Sequence, residues 1–225
     1  MTGTIGLRTY RTANAMSTIT SPLAAALKDG TQDLHVAAER HPLQQRLLRG
    51  AVSRDELALY LHELYHVHLS LETGLNSSNN PAVHAMVRDH HLRSPLFKHD
   101  IAALGGTIAD QARCRAARSF CGFIGDAAAA DPAALVGMLY VLEGATNGNV
   151  YLARALERSL GLEPQAATRS LDPHGADQRP RWQAFRVALD TLDLPDADAA
   201  RVIAAARSTF RAVYDIADEL APQSP

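Results

Sequence analysis

Aromatic side chains are scarce in this sequence, 5% of 225 residues, whereas alanine and leucine are abundant. A β-sandwich draws heavily on aromatic and β-branched residues, so this balance speaks for helices. Cysteine is almost absent. Cys114 and Cys121 stand seven apart in a segment that reads as helix, about 10 Å from one another and beyond disulfide reach. They read as small buried hydrophobes in a chain suited to a reducing cytoplasm. No apolar run approaches the ~18 residues of a membrane span, so no anchor is expected. Neither sign of charge dominates: the net charge is -2 and the pI about 6.5, which argues against a nucleic-acid surface. Nicotinamide and flavin fingerprints are lacking, and there is no internal repeat. Residues 1–20 contain Arg8 and Arg11 but no acid and no apolar signal-peptide core. They read as a mobile tail before one domain over 21–220, followed by a short tail over 221–225.

What is present is a series of helix signals. Ser21-Pro22 offers a hydroxyl N-cap and a proline in the first turn, and Pro42 ends that helix. Ser53 and Glu56 form a capping box ahead of Leu57, Leu61, Leu64, Leu71 and Leu75. Helices are expected over Pro81–His91, Pro95–Leu104, Ile108–Ala130, Asp131–Leu160 (with Gly161 as C-cap), Pro180–Leu192 and Asp196–Leu220. The strand signal is negligible, so the fold class is all-α.

Two stretches carry chemistry. In the first helix, Leu27, Leu34 and Ala38 form an apolar stripe, and Lys28, Thr31, His35 and Glu39 share a neighbouring face. One imidazole thus has a carboxylate one turn away and a cation two turns away, roughly 10 Å along the axis. The face suits iron ligation by His35, with Glu39 fixing the ring's tautomer and Lys28 neutralising a haem propionate. A histidine at a core boundary is the plainer reading of the same spacing. In the second stretch, Leu135–Leu160, Gly144 and Gly148 stand one turn apart. Each costs about 1 kcal/mol relative to alanine in a helix interior. Together they strip Cβ atoms from one face, for a flat ligand or for close helix packing.

Leu27-Lys28-x-x-Thr31-x-x-Leu34-His35-x-x-Ala38-Glu39 resembles the proximal helix of haem oxygenases. The resemblance continues through Arg46 to Gly50, Val52-Ser53-Arg54-Asp55 and Leu64-Tyr65-His66-Val67. It resumes at Leu139 to Gly148, where that family has a glycine-rich distal helix, and ends near Trp182 to Leu192. It covers roughly Ser21 to Leu220. It implies a single-domain helical bundle with haem held between a proximal helix and a glycine-kinked distal helix. His35 would be the axial iron ligand, Lys28 and Arg186 would contact propionates, and Arg181 is a weaker candidate. Gly144, Thr146, Asn147 and Gly148 would form the distal, catalytic side, while Trp182 and Phe185 would wall the pocket or fill the core. Haem would be substrate and oxygen-activating cofactor, with dioxygen as co-substrate and biliverdin, carbon monoxide and ferrous iron as products. Electrons would come from an external donor, a transient ferredoxin or reductase. The wording Leu142-Glu143-Gly144-Ala145-Thr146 resembles the branch associated with bacterial phytochromes, which implies a bilin-binding photoreceptor downstream. One departure stands out. Many animal-type members have an aspartate that organises distal waters at the position of Gly144, a glycine at that of Glu143 and a tyrosine at that of His68. Thr146, Asn147 or backbone-held waters would have to substitute.

A competing motif is His62-Glu63-Leu64-Tyr65-His66, the His-Glu-x-x-His pattern of zinc proteases. It lacks the extended metzincin residues at Leu69 and Glu72, and His68 adds a further possible ligand. His84, His90, His91, His99 and His174 have no supporting spacing and are expected at the surface. The alternatives are therefore a haem carrier or sensor without ring cleavage, a non-haem metalloenzyme using His62, Glu63 and His66, or unrelated chemistry on the same fold.

Overall fold

The computed structural model describes residues 21–221; the tail expected over 1–20, and the second tail apart from Ala221, lie outside the described residues. Among the described residues there are nine α-helices, two short 3-10 turns and no strand. The helices are α1 (Leu23–Arg40), α2 (Pro42–Leu48), α3 (Arg54–Ser77), α4 (Pro81–Met86), α5 (Ser94–Ala103), α6 (Arg115–Ala130), α7 (Ala134–Leu160), α8 (Gln178–Asp190) and α9 (Asp196–Leu220).

Several ends form as local chemistry dictates. The Ser53 hydroxyl accepts from Glu56 N–H at 3.1 Å, and the Glu56 carboxylate accepts from Ser53 N–H at 2.7 Å. Gly161 closes α7 with φ 60°. Other ends depart from expectation because distant carboxylates set them. Ser21 does not cap α1; Pro22 is the N-cap residue, and Asp190 at the end of α8 accepts from Ala24 N–H at 2.8 Å. The helix expected from Ile108 starts only at Arg115. Upstream, Glu63 accepts from the Arg113 and Cys114 amides, each at 3.0 Å, and Glu219 of α9 takes the Arg115 and Ala116 amides at 2.7 and 3.1 Å. The helix expected over Pro81–His91 stops at Met86, and a 3-10 turn over Asp89–His91 swings His91 inward. Glu72 then opens α5 by accepting from the Arg93 and Ser94 amides at 2.6 and 2.7 Å.

The core runs along α7, where Leu135, Val136 and Met138 are fully buried. Gly137 lets α7 lie directly on α9, since a Cβ there would collide with the Val202 carbonyl oxygen. α1 packs on α9 and α8, whereas α3 packs on α5, α6 and α7. Arg207 of α9 fixes α1 through Asp33, at 2.8 and 2.9 Å. A cleft lies between α1 and α7, lined also by residues of α3, α8 and α9. Both cysteines are free; burial pushes the Cys114 thiol up to about 12, so it is inert at neutral pH.

Candidate active site

The cleft has a volume of about 1540 Å³, larger than the ~300–1000 Å³ of ordinary small-molecule pockets. α1 presents Lys28, Thr31, His35, Ala38 and Glu39 to it, the face expected from their spacing. Ala38, placed with the core stripe on sequence, also faces the cleft. His35 is half exposed and packs edge-on against Phe210 of α9, with ring centres 5.6 Å apart. Its Nδ1 lies 3.6 Å from a Glu39 carboxylate oxygen, ion-pair distance rather than a hydrogen bond. Nε2 is therefore the nitrogen left for a ligand. Lys28 and Arg186 are exposed cations on the same cleft, contributed by α1 and α8.

The opposite wall is α7, one continuous helix. Its two glycines do different things. A Cβ on Gly144 would stand 3.2 Å from the Trp182 ring, so this glycine seats the indole, which stacks on Phe185 at 5.6 Å. A Cβ on Gly148 would meet nothing within 4 Å, so there the bare main chain borders open space. Asn147 lines the cleft, but its amide is engaged: Nδ2 donates to the Gly144 carbonyl at 2.9 Å and Oδ1 accepts from Gln178 at 3.2 Å. Thr146 does not reach the cleft. It is fully buried, and its hydroxyl donates to the Glu143 carbonyl at 2.6 Å, so it offers no distal polar group. Arg181 points elsewhere as well, 3.8 Å from Asp177 beside a second groove. Trp182 walls the cleft, while Phe185 is buried.

Sequence spacing missed Arg93, just ahead of α5. It is buried at the cleft, and its guanidinium donates to the Leu142 carbonyl of α7 at 2.7 Å. Beside it, His68 of α3 is buried and lies tilted against Phe97 with ring centres 4.6 Å apart. Burial, and secondarily the Arg93 charge, holds the His68 pKa well below the usual value, so the imidazole is neutral.

The His-Glu-x-x-His reading fails on hydrogen bonding. His62 Nε2 accepts from Ala109 N–H at 3.1 Å, which puts the ring proton on Nδ1, facing Glu63 at 2.9 Å. Both nitrogens are used, and Glu63 is occupied with the amides that precede α6. His62 and Glu63 anchor a loop in this way, which leaves neither nitrogen of His62 free for a metal. The surface placement expected for His91 and His174 is also corrected. His91 is buried, and the His174 side chain is sealed 2.8 Å from the Glu143 carboxylate. Burial alone would raise the Glu143 carboxyl; the His174 hydrogen bond and the Arg93 charge outweigh it and lower the pKa. Glu143 thus turns away from the cleft. Ligand atoms of His90, His91 and Glu143 lie within 4.8 Å of one another. His91 Nδ1, however, accepts from Arg88 N–H at 3.1 Å, so Nε2 carries the proton and is a donor, not a metal ligand.

The family model described as "Heme oxygenase" matches residues 21–219. The chain belongs to the haem oxygenase family. Among curated relatives it is similar to "Heme oxygenase 1" of Homo sapiens, 24% identical over 206 residues, covering 88% of this chain and 71% of that protein. Among solved structures it is similar to the heme oxygenase of Leptospira interrogans, with TM-score 0.81 and 23% identity, covering 88% of this chain and all of that one. It is also similar to heme oxygenase-2 of Synechocystis sp. PCC 6803, solved in complex with heme and NO, with TM-score 0.82 and 23% identity, covering 89% and 85% of the two chains. The residues of this haem oxygenase-family cleft fit haem: the apolar walls suit a macrocycle, the His35 imidazole and the Cβ-free main chain at Gly148 line the same space, and two cations sit on it. No helix among the described residues is long and apolar enough to cross a membrane.

Proposed function

We propose that the chain is a haem oxygenase, cleaving haem to biliverdin, carbon monoxide and ferrous iron with dioxygen and external electrons. The observation that carries this reading is the pairing of an imidazole on α1 with Cβ-free backbone on α7 across one macrocycle-sized cleft. Haem, when bound, supplies both the iron that activates dioxygen and the porphyrin that is oxidised. The chain supplies binding and orientation. His35 would hold the iron through Nε2, while Phe210 and Glu39 hold its ring. Lys28 and Arg186 would hold the propionates and so would orient the ring within the cleft. Gly148 would let the ring approach α7, and Trp182 would help exclude water from the cleft. With no nicotinamide or flavin fingerprint in the sequence, electrons come from a ferredoxin or reductase that docks transiently. A bilin-binding photoreceptor is the proposed user of the product, and a reducing cytoplasm the proposed compartment.

The outward turn of Glu143 and the bare Gly144 favour a second reading, haem carriage without ring opening. Hemin titration and turnover separate the two. The proposal expects a Soret band that His35→Ala alters, and conversion of that band to a biliverdin spectrum on adding reductant and oxygen. A band that only cycles between oxidised and reduced forms supports the carrier. No hemin complex at all overturns both.

A further inference from the structure

The α7 side of the cleft has few polar groups free to act. Thr146 turns its hydroxyl inward, Asn147 spends its amide on Gly144 and Gln178, and Gly144 and Gly148 present main chain. The Arg93 guanidinium is tied to the Leu142 carbonyl. His68 is different. It lines the cleft while being almost wholly buried, and Phe97 fixes its ring. Among the described residues its ring nitrogens have no hydrogen-bond partner and are not among the buried orphaned atoms, so they are open to the cleft that the side chain lines. Burial keeps the ring uncharged, and a neutral imidazole carries one N–H in either tautomer. α3, which bears His68, packs on α5, α6 and α7, whereas α1 packs on α9 and α8. His68 thus enters the cleft from α3, a helix that packs on α7, while His35 enters it from α1.

We propose that His68 is the hydrogen-bond donor to the small ligand that iron takes up on the α7 side of the haem. This rests on haem binding as proposed above. A preorganised donor in a water-poor pocket stabilises charge on such a ligand without reorganisation, and a neutral one adds no second cation beside Arg93.

The test uses the full chain loaded with hemin. Fluoride, a strong hydrogen-bond acceptor, is titrated into the ferric complex; carbon monoxide, a weak acceptor, is bound to the ferrous complex as a control for packing. His68→Phe keeps a flat ring against Phe97 but removes the donor; His68→Leu serves in its place should the phenyl ring not fit. His68→Gln keeps an N–H. The expected result is a fluoride affinity lowered about tenfold in His68→Phe, the worth of one hydrogen bond, largely restored in His68→Gln, with little change for carbon monoxide. Unchanged fluoride affinity, or an equal loss for both ligands or in both variants, overturns the proposal while leaving haem binding intact. Absence of a His35-dependent hemin complex in the unsubstituted chain overturns the haem reading itself and this inference with it.

Discussion

Gly148→Leu separates stability from binding. Position 148 lies mid-way along the 27-residue α7, and a Cβ there meets no protein atom within 4 Å. Leucine is a good helix former, so replacing glycine stabilises the haem-free protein by about 1 kcal/mol. For a chain of this size that raises Tm by roughly 2–4 °C. The space the new side chain enters is the space assigned to the macrocycle. Overpacking of that kind costs about 1–3 kcal/mol, so hemin affinity falls roughly five- to 150-fold. Gly148→Ala gains the same helix stability and loses less affinity. Gly144→Ala behaves differently: its Cβ stands 3.2 Å from the Trp182 ring, and the indole's displacement cancels much of the helix gain. Circular dichroism melting of haem-free protein and Soret titration with hemin read the two quantities separately. A Gly148→Leu protein that melts higher and binds hemin as tightly as the original refutes the placement of the ring against α7.

The close contact of α7 with α9 makes Gly137→Ala costly; collision with the Val202 carbonyl predicts a loss of about 2–3 kcal/mol and a Tm lowered by roughly 5–10 °C. Acid has an early effect: burial lowers the His91 pKa from 6.5 to about 4, so between those values the unfolded chain takes up a proton that the folded chain refuses. Stability therefore falls as pH drops from about 6.5 to 4, by up to about 3 kcal/mol from this group. Urea midpoints at pH 7 and 5 should differ less in His91→Gln, and an equal difference in that variant contradicts the assignment. Glu63→Ala strands the Arg113 and Cys114 amides and the His62 N–H, costing about 2–4 kcal/mol in chemical denaturation. Metal content should be the same in His62→Ala and His66→Ala as in the unsubstituted chain; a stoichiometric loss restores the zinc-type reading.

The sequence by itself determined whatever depends on residues within a turn or two of each other. The Ser53–Glu56 capping box, the Gly161 C-cap, the span of α9 and the shared face of Lys28, Thr31, His35 and Glu39 follow from helical period and local side-chain reach, and the structure bears out each. Tertiary structure alone decided where a distant side chain competes with local preference. Asp190 starts α1, Glu63 and Glu219 delay α6, and Glu72 opens α5, each from at least 21 residues away along the chain. The same holds for function. His-Glu-x-x-His is a plausible metal motif until the Ala109 amide takes the His62 lone pair. Thr146 is a plausible distal hydroxyl until it turns to its own helix. Arg93 has no informative spacing at all, and meets His68 only when α5 packs against α3. A hydrogen-bonding group can satisfy only a few partners, and which ones it meets is fixed by packing between helices that the sequence order does not place side by side.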